Sequence, residues 1–500
     1  MLRQLAGQTA VYGISSIVAR LLNYLLTPYL TRIMSPAGYG VITDMYALIP
    51  FALIILTMGL ETGYFRFAGQ AADEAGRRRI FASTWGAVTL FSLFFLGTVL
   101  LFRAPIGKAT GYAEHPAYIW SVAVIIVLDA ISAIPFARLR QQNRAATFVS
   151  LRVASVVINV VLCLFLLSVL PRLAGGGGSF WNAIYDPDFG VGYVFIANLI
   201  ASAAVFLLLL GTTGGIVPRI DLKILRPVLI YSLPLLVSGI AGTANEYIDR
   251  QMIKYLLPGD IAMSSLGIYG AVVKIAVVMA LFTQMYRLAA EPFFLSGMKE
   301  EDFRATNARA MTLYIIVSLL IFLVITLFSD IFALIVGADF RQGMFILPVI
   351  LLTNIFTGIT FNLSFWYKQS GRTKYALWVT GTGLAVTIVM TAILVPAIGY
   401  AGAAWASLLC SLTTTALSYR LSRRHASIPY DLRSVGLYFV LAAALYGAGF
   451  ATGALPAAGR YAINLLFLLL FTAIFVRREK IDVRGLVRSV MRHSSSSTRQ

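Results

Sequence analysis

Residues 117–137 read AYIWSVAVIIVLDAISAIPFA, a run in which Asp129 is the only charged residue. A helix needs about 20 apolar residues to cross the roughly 30 Å of hydrocarbon in a bilayer. This stretch therefore predicts a membrane span. Thirteen further runs of the same kind cover residues of about 10–31, 40–62, 80–102, 148–170, 190–211, 228–250, 264–287, 309–328, 344–365, 375–395, 400–419, 434–452 and 461–476.

The composition of the whole chain agrees with this interpretation. Hydrophobic residues make up 59% of the sequence and charged residues 12%, and the mean hydropathy is +0.82. Such values are typical of a membrane protein and exclude an ordinary soluble domain. We therefore predict an all-α polytopic membrane protein with about 14 transmembrane helices, without a large domain outside the membrane.

The placement of the basic residues predicts the orientation of the chain. If the N-terminus is cytoplasmic, 29 of the 40 Lys and Arg residues fall in cytoplasmic segments, and far fewer fall in outer segments. This satisfies the positive-inside rule with both termini in the cytoplasm. The net charge of +19 then indicates contact with anionic membrane lipids and not with nucleic acid.

Three sequence features recur in the same order in the second half of the chain, at offsets of 230, 228 and about 210 residues. They are a Tyr-Gly pair with a Glu 22 residues after the Tyr (Tyr39, Gly40 and Glu61; Tyr269, Gly270 and Glu291), a basic segment (residues 140–144 and 368–372) and a pair of glycines (Gly190 and Gly192; Gly399 and Gly402). Each half then holds six spans, and an even number gives both halves the same orientation. We predict two parallel six-helix lobes, at residues 1–215 and 216–425, then two C-terminal helices within 426–476 and a basic cytoplasmic tail at 477–500.

Several polar side chains lie inside apolar runs, where a charge costs about 2.5–3.5 kcal/mol on insertion scales. We predict that six of them bind a substrate in a cavity between the lobes: Arg20, Asn23 and Tyr24 of the first span, Asn245 and Arg250 of the seventh, and Lys274 of the eighth. A cationic, amide-lined cavity suits an anionic cargo rich in hydroxyl groups. For Arg250 an ion pair with Glu246, one turn away, is the structural alternative.

Three acidic residues are candidates for coupling transport to an ion gradient. Asp129 has no cation one turn away, so it either pairs across helices or takes up a proton. Glu61 and Glu291 end repeat-related spans, and for both a structural ion pair, with Arg66 and Arg287 respectively, is the alternative.

The sequence predicts neither a metal site nor a cofactor, and no enzymatic activity. Cys163 and Cys410 lie in apolar runs and behave as small hydrophobic residues. The acidic pair Asp186 and Asp188 resembles a metal-binding motif of glycosyltransferases but lies in a short outer loop, where we expect a turn. Gly175–Gly178 lacks the Lys-Ser/Thr of a phosphate-binding loop.

Two segments resemble a known family. The first runs from Gly13-Ile14-Ser15-Ser16 through Arg20 and Asn23 to Ser35-Pro36-Ala37-Gly38-Tyr39-Gly40, and the second is VPAIGYAGAAWA at residues 395–406. Both are similar to Wzx-type oligosaccharide flippases, which belong to the multidrug/oligosaccharidyl-lipid/polysaccharide (MOP) exporter superfamily. The resemblance extends over the whole chain.

The resemblance implies translocation of an undecaprenyl-pyrophosphate-linked sugar unit by alternating access, driven by a proton or sodium gradient. Arg20 matches the family's arginine that meets the pyrophosphate or acidic sugars. The last two spans occupy the place of the lipid-tail groove in the related lipid II flippase. That relative's second arginine in the first helix is absent here, where residues such as Thr27 stand instead.

Our hypothesis is a multi-pass flippase of the bacterial inner membrane that serves O-antigen, capsule or exopolysaccharide assembly. Its partners would be the lipid-linked oligosaccharide, membrane lipids and the polysaccharide polymerase machinery. The alternatives are a lipid II or multidrug exporter of the same superfamily and, from other classes, a membrane-embedded glycan polymerase or ligase, or a scaffold. A multidrug exporter of organic cations is disfavoured because the deep charges Arg20 and Lys274 are positive.

Overall fold

The computed structural model describes residues 24–176, 179–295, 300–372 and 374–480. Within these ranges the secondary structure is helical, without a β-strand. Eleven of the described helices are long and apolar enough to cross a bilayer, or twelve if Gly259–Ile275 and Val277–Glu291 form one broken span. The prediction of an all-α polytopic membrane protein is confirmed.

The helices are named here in chain order. They are α1 (Leu26–Ile33), α2 (Pro36–Thr57), α3 (Leu60–Gln70), α4 (Glu74–Leu101), α5 (Arg103–Thr110), α6 (Pro116–Gln141), α7 (Ala145–Leu164), α8 (Leu170–Gly175), α9 (Ser179–Ile184), α10 (Gly192–Leu210), α11 (Leu222–Leu256), α12 (Gly259–Ile275), α13 (Val277–Leu295), α14 (Glu300–Leu327), α15 (Ser329–Ala333), α16 (Leu347–Leu363), α17 (Phe365–Gln369), α18 (Lys374–Ile398), α19 (Tyr400–His425), α20 (Leu432–Ala451) and α21 (Ala457–Arg478). A π-helical turn, Phe165–Val169, joins α7 to α8, and a 3₁₀ segment, Ala338–Ile346, precedes α16.

Polar caps and turn residues set the helix ends. The Ser35 hydroxyl accepts a hydrogen bond from the Gly38 amide at 3.2 Å at the start of α2, and Asp73 accepts one from Gly76 at 2.7 Å at the start of α4. Such caps satisfy backbone donors that have no partner within the helix. The predicted run 40–62 is divided because Met58 and Gly59 adopt left-handed conformations, with φ values of 49° and 67°, which end α2 before α3 begins.

The described chain divides into two compact units. The first contains residues up to Lys274, Val336–Gly343 and Lys374–Thr413, that is, α1 to α12, α18 and the beginning of α19. Its core includes Phe81 and Trp85 of α4, whose ring centroids lie 5.3 Å apart, and the Trp85 indole donates to the Ile131 carbonyl of α6 at 3.1 Å. The packing fixes α4 against α6 within this unit.

The second unit contains Ile275–Ile335, Met344–Thr373 and the chain from Thr414 onward, so it includes α13 to α17, α20 and α21. The fully buried Tyr314 of α14 is central to it. The Tyr314 ring lies 4.7 Å from that of Tyr286 in α13, and its hydroxyl hydrogen-bonds Thr283 at 2.9 Å. Aromatic contacts of this kind stabilise helix packing beyond the area they bury.

The spans correspond closely to the predicted apolar runs. Twelve runs coincide with the candidate spans, counting the broken pair α12 and α13 as one. Run 400–419 forms the 26-residue α19, which is less apolar because serine and threonine recur between Ser407 and Thr415. Run 10–31 lies mostly outside the described residues. The division into two six-helix lobes and two further helices stays a prediction.

Candidate functional site

A buried carboxylate that the sequence analysis does not single out lies in α2. Asp44 is fully buried and accepts hydrogen bonds from the Tyr112 hydroxyl at 2.6 Å and from the Gln251 amide at 2.8 Å. Lys254 of α11 completes the set with an ion pair to the Asp44 carboxylate. The side chain of Lys254 is only 7% exposed, so both charges are neutralised inside the protein.

Tyr112 stabilises this network as a hydrogen-bond donor. It lies in the loop between α5 and α6, outside the spans. Burial and the negative charge of Asp44 raise the pKa of the Tyr112 phenol, so the hydroxyl keeps its proton. The Lys254 ammonium also lies 4.5 Å from the centre of the Tyr112 ring. The loop, α2 and α11 are therefore held together by polar contacts at one place.

Two of the predicted substrate-binding residues lie together. The Lys274 ammonium of α12 is 4.8 Å from the centre of the Tyr24 ring, within the range of a cation–π interaction. Lys274 is exposed although it occupies an apolar helix, and Tyr24 is half-buried. Arg20 and Asn23, predicted to share this site, lie outside the described residues.

The contact of Lys274 with Tyr24 and that of Asp44 with Lys254 are related by the repeat. The repeat relates positions that are 230 residues apart. Asp44 therefore corresponds to Lys274, and Tyr24 corresponds to Lys254. Each contact therefore joins residues at equivalent positions of the two sequence halves. In the first half Asp44 is neutralised by Lys254. In the second half the position that corresponds to Asp44 is occupied by the exposed Lys274.

The other two predicted substrate residues, both on α11, have partners within the first unit. The Arg250 guanidinium lies 3.2 Å from the Asp249 carboxylate and donates to the Glu246 backbone carbonyl at 2.6 Å. The ion pair is thus with Asp249 and not with the Glu246 carboxylate. Asn245 accepts a hydrogen bond from the Thr387 hydroxyl of α18 at 2.7 Å. Both side chains connect elements of the protein.

Asp129 has a hydrogen-bond partner on another helix. The Ser202 hydroxyl of α10 donates to Asp129 at 3.0 Å, and Arg152 of α7 interacts with the carboxylate electrostatically. Asp129 is half-buried. Nearby, Asn198 of α10 donates to the Tyr46 hydroxyl of α2 at 3.3 Å. Four helices thus contribute to a polar cluster inside the first unit.

Glu61 and Glu291 form ion pairs, but not with the nearby arginines proposed as their structural partners. Glu61 pairs with Arg140 at 2.7 Å and Glu291 with Lys368 at 2.7 Å. The predicted partners face other helices: Arg66 lies over the ring of Tyr231 at 4.3 Å, and Arg287 over that of Phe361 at 5.1 Å. Arg140 and Lys368 belong to the basic segments that the repeat relates, so each half contains the equivalent pair.

The comparisons with known proteins agree with the fold. A family model for "Polysaccharide biosynthesis protein" matches residues 5–298. The solved structure of the lipid II flippase MurJ in an inward closed conformation superposes with a TM-score of 0.72, at 14% identity over 94% of this chain and 100% of that chain. An inward-facing multidrug resistance MATE transporter of the MOP superfamily gives a TM-score of 0.62 at 14% identity, over 84% of this chain and 94% of that chain.

The MATE multidrug transporter DinF-BH gives a TM-score of 0.58 at 16% identity, over 85% of this chain and 96% of that chain. No curated protein matches the chain. The structural matches show a shared fold, that of transporters of the MOP superfamily, and the family model covers more than half of the sequence. The chain belongs to the polysaccharide biosynthesis protein family.

Proposed function

We propose that the protein is a flippase that moves a polyprenyl-pyrophosphate-linked oligosaccharide across the bacterial inner membrane for polysaccharide assembly. Movement is from the cytoplasmic to the outer leaflet, and both termini are cytoplasmic. The family and the fold support a transporter in polysaccharide biosynthesis. The observation that carries the choice of an anionic, lipid-linked cargo is the exposed ammonium of Lys274 within an apolar helix.

The position of Lys274 is unusual because of its cost. A lysine deep in a membrane is expensive unless it faces protein, water or a charged ligand. Its repeat equivalent, Asp44, is fully buried and neutralised by Lys254. The repeat-related acid is therefore paired with Lys254, whereas the equivalent position on α12 carries a positive charge. This asymmetry favours an anionic cargo, such as a pyrophosphate, over an organic cation.

The neighbouring groups suit the rest of such a cargo. Tyr24 offers an aromatic face beside Lys274, which a sugar ring or its hydroxyl groups can contact. Arg20 and Asn23, which lie outside the described residues, precede Tyr24 by four residues and by one residue in the sequence and would add hydrogen-bond donors. We propose that Arg20 and Lys274 together hold the pyrophosphate, and that Asn23 and Tyr24 contact the sugars.

We assign ion coupling to Asp129 as part of this proposal. Glu61 and Glu291 each have a cation at 2.7 Å, which disfavours protonation of either carboxylate. Asp129 interacts electrostatically with Arg152, but its hydrogen-bond partner is a neutral hydroxyl, and a neighbouring hydroxyl can serve either protonation state. Transport is then driven by alternating access coupled to a proton gradient, without a nucleotide.

A reconstituted translocation assay tests the proposal. Purified protein in vesicles is given a fluorescent polyprenyl-pyrophosphate oligosaccharide, and the fraction accessible to an external quencher is followed with and without a pH gradient. Loss of a charge-assisted contact costs about 1.5–3 kcal/mol, so Lys274→Ala should slow translocation about tenfold or more. Lys274→Arg should retain most of the rate.

Lys223→Ala supplies the matched control, because Lys223 is an exposed lysine in the first turn of α11. Its rate should equal that of the unmodified protein. No gradient-dependent translocation by the unmodified protein, or an unchanged rate in Lys274→Ala, would show that the proposal is wrong. Asp129→Asn should keep binding but lose the response to the pH gradient.

Lipid II is the second candidate cargo, since the fold is shared with a lipid II flippase at a TM-score of 0.72. Lipid II has the same polyprenyl-pyrophosphate group, so Lys274 would serve it equally well. The same vesicles loaded with fluorescent lipid II distinguish the two. Faster movement of lipid II than of the oligosaccharide would replace our cargo assignment but keep the role of Lys274.

A further inference from the structure

An apolar cavity of about 460 Å³ opens within the first unit between α2, α4, α5 and α6. It is separate from the residues to which transport is assigned above. Ligand pockets commonly enclose about 300–1,000 Å³, so the space is large enough for a substantial part of a ligand. Thirteen of its fourteen lining residues are apolar, and the hydroxyl of the remaining one, Thr110, donates to the Ile106 carbonyl at 2.7 Å.

Water is a poor occupant for this cavity. A bound water usually makes two to four hydrogen bonds with polar groups, and cavities without such groups stay dry or take up apolar molecules. The wall presents side chains such as Phe51, Phe95 and Ile119. Since α2, α4 and α6 all belong to candidate spans, the surrounding medium is hydrocarbon. The occupant must be apolar and available in the membrane.

The length of the cavity is close to the thickness of one leaflet. Its lining extends along α6 from Ile119 to Ile126 and along α2 from Met45 to Leu56. At 1.5 Å per residue these distances correspond to about 10 Å and 16 Å. Half of a hydrocarbon core of roughly 30 Å is about 15 Å. On α6 the lining lies in the half of the span nearer Pro116, and on α2 it extends on both sides of the middle of run 40–62. The length of the cavity is therefore close to that of a single acyl chain.

A cation lies on the same face of α5 as two residues that line the cavity. Helix α5 follows the last residues of span α4 and provides Ile106 and Thr110 to the lining. Arg103 precedes them by three and seven residues, so all three share one face of α5. Arg103 is exposed, and no acid of the described residues forms an ion pair with it. Lys108 on the same helix and Glu114 beyond it are also exposed.

We infer that this cavity is a site for a resident anionic glycerophospholipid, with one acyl chain among α2, α4 and α6 and the headgroup phosphate at Arg103. An arginine fork suits phosphate oxygens, and the apolar wall suits the chain. The positive-inside distribution of basic residues places α5 on the outer side. The lipid therefore comes from the outer leaflet.

The test uses the full-length protein in vesicles that contain phosphatidylglycerol with a photoreactive group on one acyl chain. After illumination, crosslinked peptides are mapped by mass spectrometry, and the phosphatidylglycerol retained through detergent purification is measured separately. We expect crosslinks at α2, at the end of α4 and at the beginning of α6. Ala52→Phe, which fills the cavity, should lower the retained lipid at least threefold, and so should Arg103→Ala.

Leu101→Phe is the matched control, because Leu101 is 77% exposed on α4 and does not line the cavity. It should retain as much lipid as the unmodified protein. Each variant is first shown to keep its melting temperature, and Arg103→Ala alone decides the question if Ala52→Phe does not fold. Crosslinks spread evenly over all spans, or equal retention by Ala52→Phe and Arg103→Ala compared with the unmodified protein, would overturn the inference.

Two competition measurements settle the class of lipid. Phosphatidylcholine, which has a neutral headgroup overall, should be retained at least threefold less than phosphatidylglycerol. A polyprenyl phosphate should not displace phosphatidylglycerol at an equal concentration. Displacement by the polyprenyl phosphate would show that the cavity receives an isoprenoid chain and would contradict our assignment, without affecting the role of Lys274 in transport.

Discussion

Asp44 is the most completely enclosed charge in the described part of the first unit, and its partners explain why it is tolerated. A buried carboxylate needs both a counter-charge and hydrogen bonds to offset the loss of water. Lys254 supplies the charge, and Tyr112 and Gln251 supply donors at 2.6 and 2.8 Å. Removing any one of these side chains leaves its partners buried without the charge or hydrogen bond that offsets their loss of water.

Lys254→Ala should therefore destabilise the protein strongly. Breaking a buried ion pair by removing one partner costs about 3–5 kcal/mol, and a melting curve in detergent measures the effect. The double variant Asp44→Ala with Lys254→Ala should be more stable than Lys254→Ala alone. Glu74→Gln is the control, because the Glu74–Arg77 pair is exposed and 3.6 Å long, and should change stability by less than about 1 kcal/mol. Equal melting of Lys254→Ala and Glu74→Gln would contradict this account.

Single residues also show the limits of prediction from sequence. Helical spacing correctly places Glu246 next to Arg250, yet Arg250 pairs with Asp249, because spacing does not specify rotamers. Asp44 escapes a search for polar stripes because it is the only charged residue of α2 and has no charged neighbour along that helix. A signal is nevertheless present: Asp44 follows Tyr39 by five residues, as Lys274 follows Tyr269.

At the scale of helices, α2 and α12 approach closely through glycines. A Cβ atom built on Gly40 would overlap the Met263 carbonyl, and one on Gly267 would overlap the Pro36 carbonyl. Small residues let helix backbones come together in membranes, where there is little hydrophobic drive for association. These glycines hold Lys274, in the last turn of α12, at its position next to the first helices.

Gly40→Ala and Gly267→Ala should each separate α2 from α12. Overpacking of a tight contact costs about 1–3 kcal/mol, and here the obstacle is a backbone carbonyl, which cannot rotate away. Both variants should melt earlier in detergent and translocate more slowly. Gly97→Ala in α4 meets no atom within 4 Å and should melt like the unmodified protein or slightly later, because alanine favours the helix. Unchanged melting of both test variants would show that the helices are not held by this contact.

The apolar runs predict where helices occur because a run of about 20 apolar residues has few alternatives in a membrane. They do not predict how helices are broken. The division of run 40–62 depends on the left-handed conformations of Met58 and Gly59. Likewise, α4 ends at Leu101 and a separate short helix, α5, begins two residues later at Arg103. The partners of Glu61 and Glu291 depend on which helices pack together. The spacing of residues along one helix carries no information about that packing.

For the whole chain, the two equivalent ion pairs support the internal repeat. Glu61–Arg140 lies in the first unit and Glu291–Lys368 in the second, and both are 2.7 Å long. Their acids are 230 residues apart and their cations 228. The same contact is thus kept within each half although one cation is arginine and the other lysine. A role shared by both halves is most simply explained by a structural brace.

Exchange of the charges distinguishes a brace from a proton carrier. Glu61→Arg alone places two cations together and should lower both the melting temperature and the translocation rate, with a cost of about 1 kcal/mol for a partly exposed pair. Glu61→Arg with Arg140→Glu restores an ion pair, and both quantities should recover. An arginine at position 61 does not release its proton. If Glu61 carries the coupled proton, the double variant must therefore lose the response to a pH gradient. Glu291→Lys with Lys368→Glu repeats the test in the second half, and recovery there but not at Glu61 would contradict an equivalent role of the two pairs.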